Sequence, residues 1–278
     1  PSLPLILYGV IVQQMELPNP FTIQELFIAG ILPALLMIVL LTLFSIWSNR
    51  SQPIEIGKFS RKEALSALWV MRWELPLPVI VLGGIYSGFF AVSEAAAVTA
   101  FYVLLVEVVI HREVKYLDLP RVIREAMIMV GGILLILGVS LAFTNYLIDA
   151  EVPQLLFEWI QTFISSKTTF LILLNLILLA LGAILDIFSA LVIMIPLIVP
   201  MALQFGIDPV HLGIIFLANM QIGYFTPPIG MNLFIASYRF KRPITELYQA
   251  TIPFMLVLLV ALVIITYVPE VSLIFLNR

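Results

Sequence analysis

The stretch Asn219-Met-Gln-Ile-Gly-Tyr-Phe-Thr-Pro-Pro-Ile-Gly-Met-Asn232 decides how this chain folds. It lies inside a charge-free window, 209–238. Such a window is long enough to cross a bilayer, because about 20 apolar residues at ~1.5 Å each span roughly 30 Å of hydrocarbon. Yet Gly223, Pro227, Pro228 and Gly230 argue against a continuous helix. Consecutive prolines remove two backbone donors and free the carbonyls a turn earlier. Free carbonyls survive at membrane depth only where protein or a water-filled cavity satisfies them. With the side chains of Asn219 and Thr226 they form an oxygen-rich environment suited to a desolvated alkali cation. A proline kink between packed helices is the other reading of the same residues.

The rest of the chain has the same character: of 278 residues, 62% are hydrophobic and 11% charged, against about 25% charged in a soluble domain. That balance excludes an ordinary cytosolic enzyme, a disordered region and a nucleic-acid binder. There is no cysteine, which excludes a disulfide framework, iron–sulfur ligation and thiolate zinc sites. Two histidines argue against an imidazole cluster, so no transition metal is expected. Further charge-free windows run 27–49, 75–93, 126–148, 168–185, 187–207 and 247–269, with a shorter apolar helix over 95–110 interrupted by Glu107. Together they predict about eight membrane segments or hairpin arms.

Orientation follows from Lys and Arg, which stay on the cytoplasmic side in short loops. They cluster as Arg50, Lys58, Arg61, Lys62 and Arg72, then Arg112, Lys115, Arg121 and Arg124, then Arg239, Lys241 and Arg242. The alternate loops, 15–20 and 149–167, hold Glu16, Asp149, Glu151 and Glu158 against Lys167 and face outward. Segment 60–74 puts Leu65, Leu68, Trp69 and Trp73 near one helical face, the pattern of a helix lying in the interface or packed as a linker on the protein. Charge counting leaves 168–207 open as two complete crossings or as a hairpin that enters and leaves by one face.

Asp186 sits at the apex of that pair, in Leu181-Gly-Ala-Ile-Leu-Asp-Ile-Phe-Ser189. A carboxylate at membrane depth costs roughly 2.5 kcal/mol or more unless paired or hydrated. It reads as the N-cap of the second arm, as a neighbour of a bound cation or substrate, or as both. Gly182 and Ser189 suit a tight tip with exposed backbone dipoles. Ser93 and Glu94 stand in the first turn of a helix, His211 in the first turn after Asp208-Pro, and Asn145, Tyr146 and Asn175 are polar groups suited to interhelical hydrogen bonds.

An internal repeat links the two ends. Pro1-Ser-Leu-Pro-Leu-Ile-Leu-Tyr-Gly, a polar loop, and Glu25-Leu-Phe-Ile-Ala-Gly-Ile-Leu-Pro33 are echoed by Pro228-Ile-Gly-Met-Asn-Leu-Phe-Ile-Ala, a polar loop, and Glu246-Leu-Tyr-Gln-Ala-Thr-Ile-Pro253. The first loop is acidic and reads as outside, the second basic and inside, so the copies have inverted topology. The second copy is preceded by the 168–207 pair, and the chain opens on Pro1 without an initiator Met. A matching hairpin is therefore expected upstream, in a longer polypeptide of which this is the later part, and the chain alone is not expected to transport.

Four motifs in order, Gly83-Gly-Ile-Tyr-Ser-Gly-Phe-Phe-Ala-Val-Ser-Glu-Ala-Ala-Ala-Val98, Leu181-Gly-Ala-Ile-Leu-Asp186, Gly206-Ile-Asp-Pro-Val-His-Leu-Gly213 and Asn219 through Asn232, resemble the large membrane subunit of tripartite ATP-independent periplasmic (TRAP) transporters. Ser93 stands where the family usually has Thr, which leaves a hydroxyl in place. The resemblance implies an all-α, polytopic membrane protein of inverted repeats, with a re-entrant hairpin and a broken helix, working as an elevator-type secondary transporter. It divides the chain into the tail of the first repeat (1–20), a scaffold helix (21–50), an interfacial arm and scaffold helices (51–118), a second transport repeat (119–240, with hairpin 168–207 and broken helix 209–239) and a C-terminal scaffold helix (241–278).

The same resemblance implies a non-enzymatic sodium symporter of the bacterial inner membrane. It would import an organic acid such as a C4-dicarboxylate or sialic acid, delivered by a periplasmic binding protein and completed by a small membrane subunit, separate or fused. Carried over by residue, Gly182, Asp186 and Ser189 belong to the hairpin tip and Asn219, Gly223, Thr226, Pro227 and Gly230 to the facing broken helix, with Na+ between and no organic cofactor. Ser2, Thr226 and Asn232 are substrate candidates. One charge crossing about 100 mV is worth roughly 2.3 kcal/mol, so a monocarboxylate needs at least two cations before the potential drives uptake. A sodium-coupled dicarboxylate carrier working without a binding protein is the alternative. A channel would need a continuous polar stripe, and an intramembrane hydrolase a Ser/His or paired-Asp arrangement, for which Asp186 has no deep Asp partner.

Overall fold

The computed structural model describes residues 2–15, 17, 20–50, 60–164, 166–227 and 230–276; Pro1, Glu16, Lys58 and Pro228 lie outside them. The described residues form helices α1 (Leu3–Gln13), α2 (Ile23–Ala29), α3 (Ile31–Asn49), α4 (Arg61–Val70), α5 (Pro76–Tyr86), α6 (Val92–Leu104), a π-helical turn (Leu105–Ile110), α7 (Leu119–Asp149), α8 (Val152–Gln161), α9 (Lys167–Ile184), α10 (Ile187–Gln204), α11 (Pro209–Gly223), α12 (Met231–Phe240), α13 (Ile244–Tyr267) and α14 (Glu270–Leu273). Among the described residues, five stretches are long and apolar enough to cross a membrane: Ile23–Asn49, Ser93–Ile110, Lys167–Ile184, Ile187–Gln204 and Ile244–Tyr267. The chain is an all-α, polytopic membrane protein. Two compact units divide it, one of Pro1–Arg50 with Leu135–Arg278 and one of Ser51–Leu134.

In the first unit, α9 and α10 form a hairpin whose chemistry is set at both ends. Ser166 caps α9, its Oγ accepting the Thr169 N–H at 3.1 Å. Leu185 turns to extended backbone (φ −100°, ψ 151°) and ends the helix. At the start of α11, Asp208 Oδ1 accepts the Val210 N–H at 2.8 Å, and Pro209 occupies the first turn, where its missing donor costs nothing. Lys167 Nζ donates to the Gly206 carbonyl at 3.0 Å, which ties the start of α9 to the start of α11. The same two helices meet again at Gly182 and Gly223, so they run parallel.

Helix α13 runs the opposite way along α11. Thr226 Oγ1 lies 3.5 Å from Met255 Sδ, while at the other end His211 Nε2 lies 3.3 Å from the Thr266 carbonyl oxygen. Between them Ala218 and Ile222 pack on Leu258 and Leu262. Met255 stands near the middle of α13, whose 24 residues rise about 36 Å, enough to span the hydrocarbon. The hairpin tip beside Thr226 therefore lies level with the middle of α13.

The two repeat copies share a short helix, a polar turn and a long helix. In the first, Thr22 and Glu25 form a reciprocal capping box: Thr22 Oγ1 accepts the Glu25 N–H at 3.2 Å, and Glu25 Oε2 accepts the Thr22 N–H at 2.8 Å. Glu246 occupies the matching first turn of α13. The first copy breaks at Gly30, whereas α13 runs on through Thr251, whose Oγ1 donates back to the Leu247 carbonyl at 2.8 Å. The long helices of the two copies pack together, with Phe44 edge-on to Phe254 at 5.1 Å. Helix α3 is apolar throughout yet buries only Pro33, as expected of a helix facing lipid.

Two expectations need correction. Window 75–93 is not a single span: α5 stops at Tyr86, Gly88 takes a left-handed φ of 73°, and α6 begins at Val92. The Phe90 ring folds back over Gly84, where a Cβ would sit 2.2 Å from it. The next span starts at Ser93 and takes in Glu107 through the π-helical turn. The outward loop 149–167 also holds a helix, α8, whose Phe157 packs edge-on against Phe205 at 5.3 Å.

In the second unit, Ser60 caps α4 through the Glu63 N–H at 3.3 Å, and none of the α4 side chains is buried. Leu65, Leu68 and Trp69 are exposed, and the Arg72 guanidinium lies over the Trp69 ring at 4.7 Å. Tyr102 Oη donates to the Trp73 carbonyl at 2.7 Å. Glu94 Oε2 accepts the Ala91 N–H at 2.9 Å, so this carboxylate closes the first turn of α6.

Candidate cation and substrate site

The site grows from one steric fact. A Cβ on Gly223 would lie 2.5 Å from the Gly182 carbonyl carbon, and one on Gly182 would lie 3.2 Å from the Gly223 Cα. Only glycine at both positions lets the backbones of α9 and α11 approach this closely, the small-residue packing that membrane helices use where lipid supplies no hydrophobic drive between them. The contact brings the end of α9 beside the end of α11.

At the tip, Asp186 caps α10. Its Oδ1 accepts the Phe188 and Ser189 N–H groups, each at 3.0 Å, and its Oδ2 accepts the Ser189 hydroxyl at 2.5 Å. A carboxylate offers about four lone-pair directions, so these donors leave one unused. The capping role read from sequence is present, and it leaves the carboxylate able to take a further ligand.

The break is stitched to the tip through a residue that sequence reasoning did not single out. Tyr224 Oη accepts the Ile187 N–H at 2.6 Å, and its carbonyl accepts the Asn232 N–H at 3.1 Å. The signal was available: a tyrosine between Gly223 and the Pro pair, at membrane depth, needs a partner for its hydroxyl. Gly230 N–H donates to the Ala183 carbonyl at 3.4 Å. Gly230 takes φ 44°, and a Cβ there would meet the Thr226 carbonyl oxygen at 2.9 Å. Thr226 Oγ1 donates to the Ile222 carbonyl at 2.8 Å, which also accepts the Phe225 N–H at 3.2 Å.

Helix ends give the site its electrostatics. Helices α9 and α11 both terminate here, so two negative dipole ends, which favour a cation, lie beside the tip and the break. Helices α10 and α12 both begin here. The first-turn donors of α10 are taken by Asp186 and Tyr224; α12 has no side-chain cap, and its Gly230, Asn232 and Leu233 N–H groups go to the Ala183, Tyr224 and Gly230 carbonyls. The positive dipole end of α12 favours an anion, and broken helices pair these two kinds of terminus in carriers.

The sequence-derived residues do not all gather here. Gly182, Asp186, Ser189, Gly223, Thr226, Pro227 and Gly230 belong to the tip and the break. Asn219 does not: it is fully buried, and its Nδ2 donates to Asn175 Oδ1 at 2.6 Å and to the Ile215 carbonyl at 2.8 Å. Asn175 in turn donates to Thr266 Oγ1 at 3.2 Å. This cluster lies about 10 Å of helix rise below Gly182. Asn232 is exposed in the first turn of α12, the position from which it could meet an anion at that terminus. Ser2 is exposed and caps α1, its Oγ accepting the Leu5 N–H at 3.4 Å.

A family model described as tripartite ATP-independent periplasmic transporter, DctM component, matches residues 1–271. The chain belongs to this DctM family. It is 36% identical over 283 aligned residues to the C4-dicarboxylate TRAP transporter large permease protein of Rhodobacter capsulatus, covering 98% of this chain and 64% of that protein. It is 35% identical to the isethionate TRAP transporter permease protein DctMQ of Oleidesulfovibrio alaskensis, over 99% of this chain and 42% of that protein. Against the sialic acid TRAP transporter large permease protein of Vibrio cholerae the identity is 31%, over 98% and 62%. The chain thus spans less than two thirds of the length of these DctM relatives. All three are named as permeases, and none as an enzyme.

Proposed function

We propose that this DctM chain forms part of the permease of a sodium-coupled importer of an organic anion, acting in the bacterial inner membrane. In this reading a periplasmic binding protein delivers the substrate and a small membrane subunit, separate or fused, completes the permease. One observation carries it: the hairpin tip and the helix break are held together, so that two helix C-termini, the Asp186 carboxylate and the α12 N-terminus lie in one region. Na+ would sit at the C-terminal ends, among Gly182, Asp186, Ser189, Gly223, Thr226, Pro227 and Gly230. The anion would meet α12 near Asn232 and Thr226. The relatives' named cargoes, a C4-dicarboxylate, isethionate and sialic acid, are all anions, which suits the α12 end. An elevator-type movement carrying this site across the membrane belongs to the same reading.

The test is uptake into proteoliposomes by the complete permease with its cognate binding protein. A sodium gradient should drive uptake, and replacing sodium by potassium or omitting the binding protein should abolish it. Equal uptake in potassium would remove sodium from the reading.

A further inference from the structure

We propose that the turn between α12 and α13 binds the headgroup of an anionic phospholipid. Ser237, Tyr238, Arg239, Lys241 and Arg242 line an open cleft of about 620 Å³, within the roughly 300–1,000 Å³ of ordinary ligand sites. All three cations are exposed, and Arg242 meets Glu246 at 3.6 Å in a surface pair, so the turn is cationic on balance. The cleft is held open by its own backbone. Lys241 adopts a left-handed conformation (φ 52°, ψ 41°) rare for a residue with a Cβ, and its N–H closes α12 on the Ser237 carbonyl. Ser237 Oγ donates to the Arg242 carbonyl at 2.6 Å, which fixes the two arginines on either side of the lysine.

The neighbouring surface selects a lipid over a free anion. Phe234, Ile235, Tyr238 and Phe240 are all more than half exposed, so an apolar face of α12 runs directly into the basic cleft. A phosphodiester with acyl chains fills both surfaces at once, with the phosphate among the cations and the chains along Phe234 and Ile235. Inorganic phosphate uses only the first. Basic pockets at the membrane–water boundary take anionic headgroups by this chemistry. The cleft lies about 15 Å along α12 from Gly230, so it is separate from the cation and substrate site and does not depend on the reading of that site.

The experiment uses the complete permease, delipidated in detergent, with melting followed as phosphatidylglycerol, phosphatidylcholine or inorganic phosphate is added. Phosphatidylglycerol should stabilise at a concentration at least tenfold below phosphatidylcholine, and phosphate should have no effect. In the Arg239→Gln/Lys241→Gln/Arg242→Gln variant that preference should be lost, each basic residue near the surface contributing about fivefold. The charge-preserving Arg239→Lys/Lys241→Arg/Arg242→Lys variant should keep it. On the unmodified protein the preference should collapse at about 1 M salt, where the screening length falls to roughly 3 Å. Equal effects of the two lipids, a phosphate effect equal to the lipid's, a preference surviving the neutral variant, or one insensitive to salt would each overturn the proposal.

Discussion

Gly182 and Gly223 touch backbone to backbone, and the α9–α10 hairpin meets the helix break through this contact. An added Cβ at Gly223 has backbone against it at 2.5 Å, which no rotamer change relieves. Gly223→Ala should therefore destabilise by about 1–3 kcal/mol and depress transport, seen as a lower melting temperature and slower uptake. Gly131→Ala is the comparison: nothing lies within 4 Å of a Cβ there, in the interior of α7. That substitution should stabilise by up to about 1 kcal/mol through helix propensity alone.

Asp186 combines a cap with a charge, and two substitutions separate them. Asn keeps an oxygen that can accept from Phe188 and Ser189, whereas Ala keeps neither function. Asp186→Asn should melt within about 0.5 kcal/mol of the parent, because Asn and Asp cap comparably, and Asp186→Ala should lose about 0.5–2 kcal/mol. If the carboxylate also faces a cation, both variants should need on the order of tenfold more sodium for half-maximal uptake, which one charge-assisted contact of roughly 1.5 kcal/mol supplies. An unchanged sodium dependence in Asp186→Asn would leave the residue as a cap alone.

Tyr224→Phe removes a single acceptor and little else. The Ile187 N–H, on a residue 7% exposed, would lose its partner, a cost of about 1–3 kcal/mol for a buried donor. The loss should appear locally, as faster hydrogen exchange at the start of α10 with the rest of the hairpin unchanged. Uniformly faster exchange across α9 and α10 would show instead that Tyr224 supports the global fold.

Asn219 tests the division between the tip and the cluster below it. Asn219→Ala and Asn175→Ala should each destabilise, and their double-mutant cycle should give a coupling of about 0.5–3 kcal/mol. Neither should alter the sodium dependence of uptake as the Asp186 variants do.

Much of this was legible in the sequence, and the exceptions have physical reasons. The helix break was readable because two prolines and two flanking glycines act on the backbone itself, and the Asp186 cap because its position between two apolar arms is a local signal. The Asn219 contacts were not legible because Asn175, and Thr266 beyond it, come from other helices, and sequence spacing does not say which face of α11 Asn219 occupies. Charge left the α9–α10 hairpin open between two full crossings and re-entry, since both topologies leave 206–209 on one side. Helix α8 was overlooked because Glu151 and Glu158 dominate a stretch whose Leu155, Phe157 and Trp159 carry its amphipathic pattern.

The most direct test of the central claim, that a sodium ion bridges hairpin tip and helix break, is hydrogen exchange of the complete permease in sodium against potassium at equal ionic strength. Sodium should slow exchange together in residues 182–190 and 222–233, and Asp186→Asn should weaken both effects. Identical exchange in the two salts, or protection confined to one of the two segments, would contradict it.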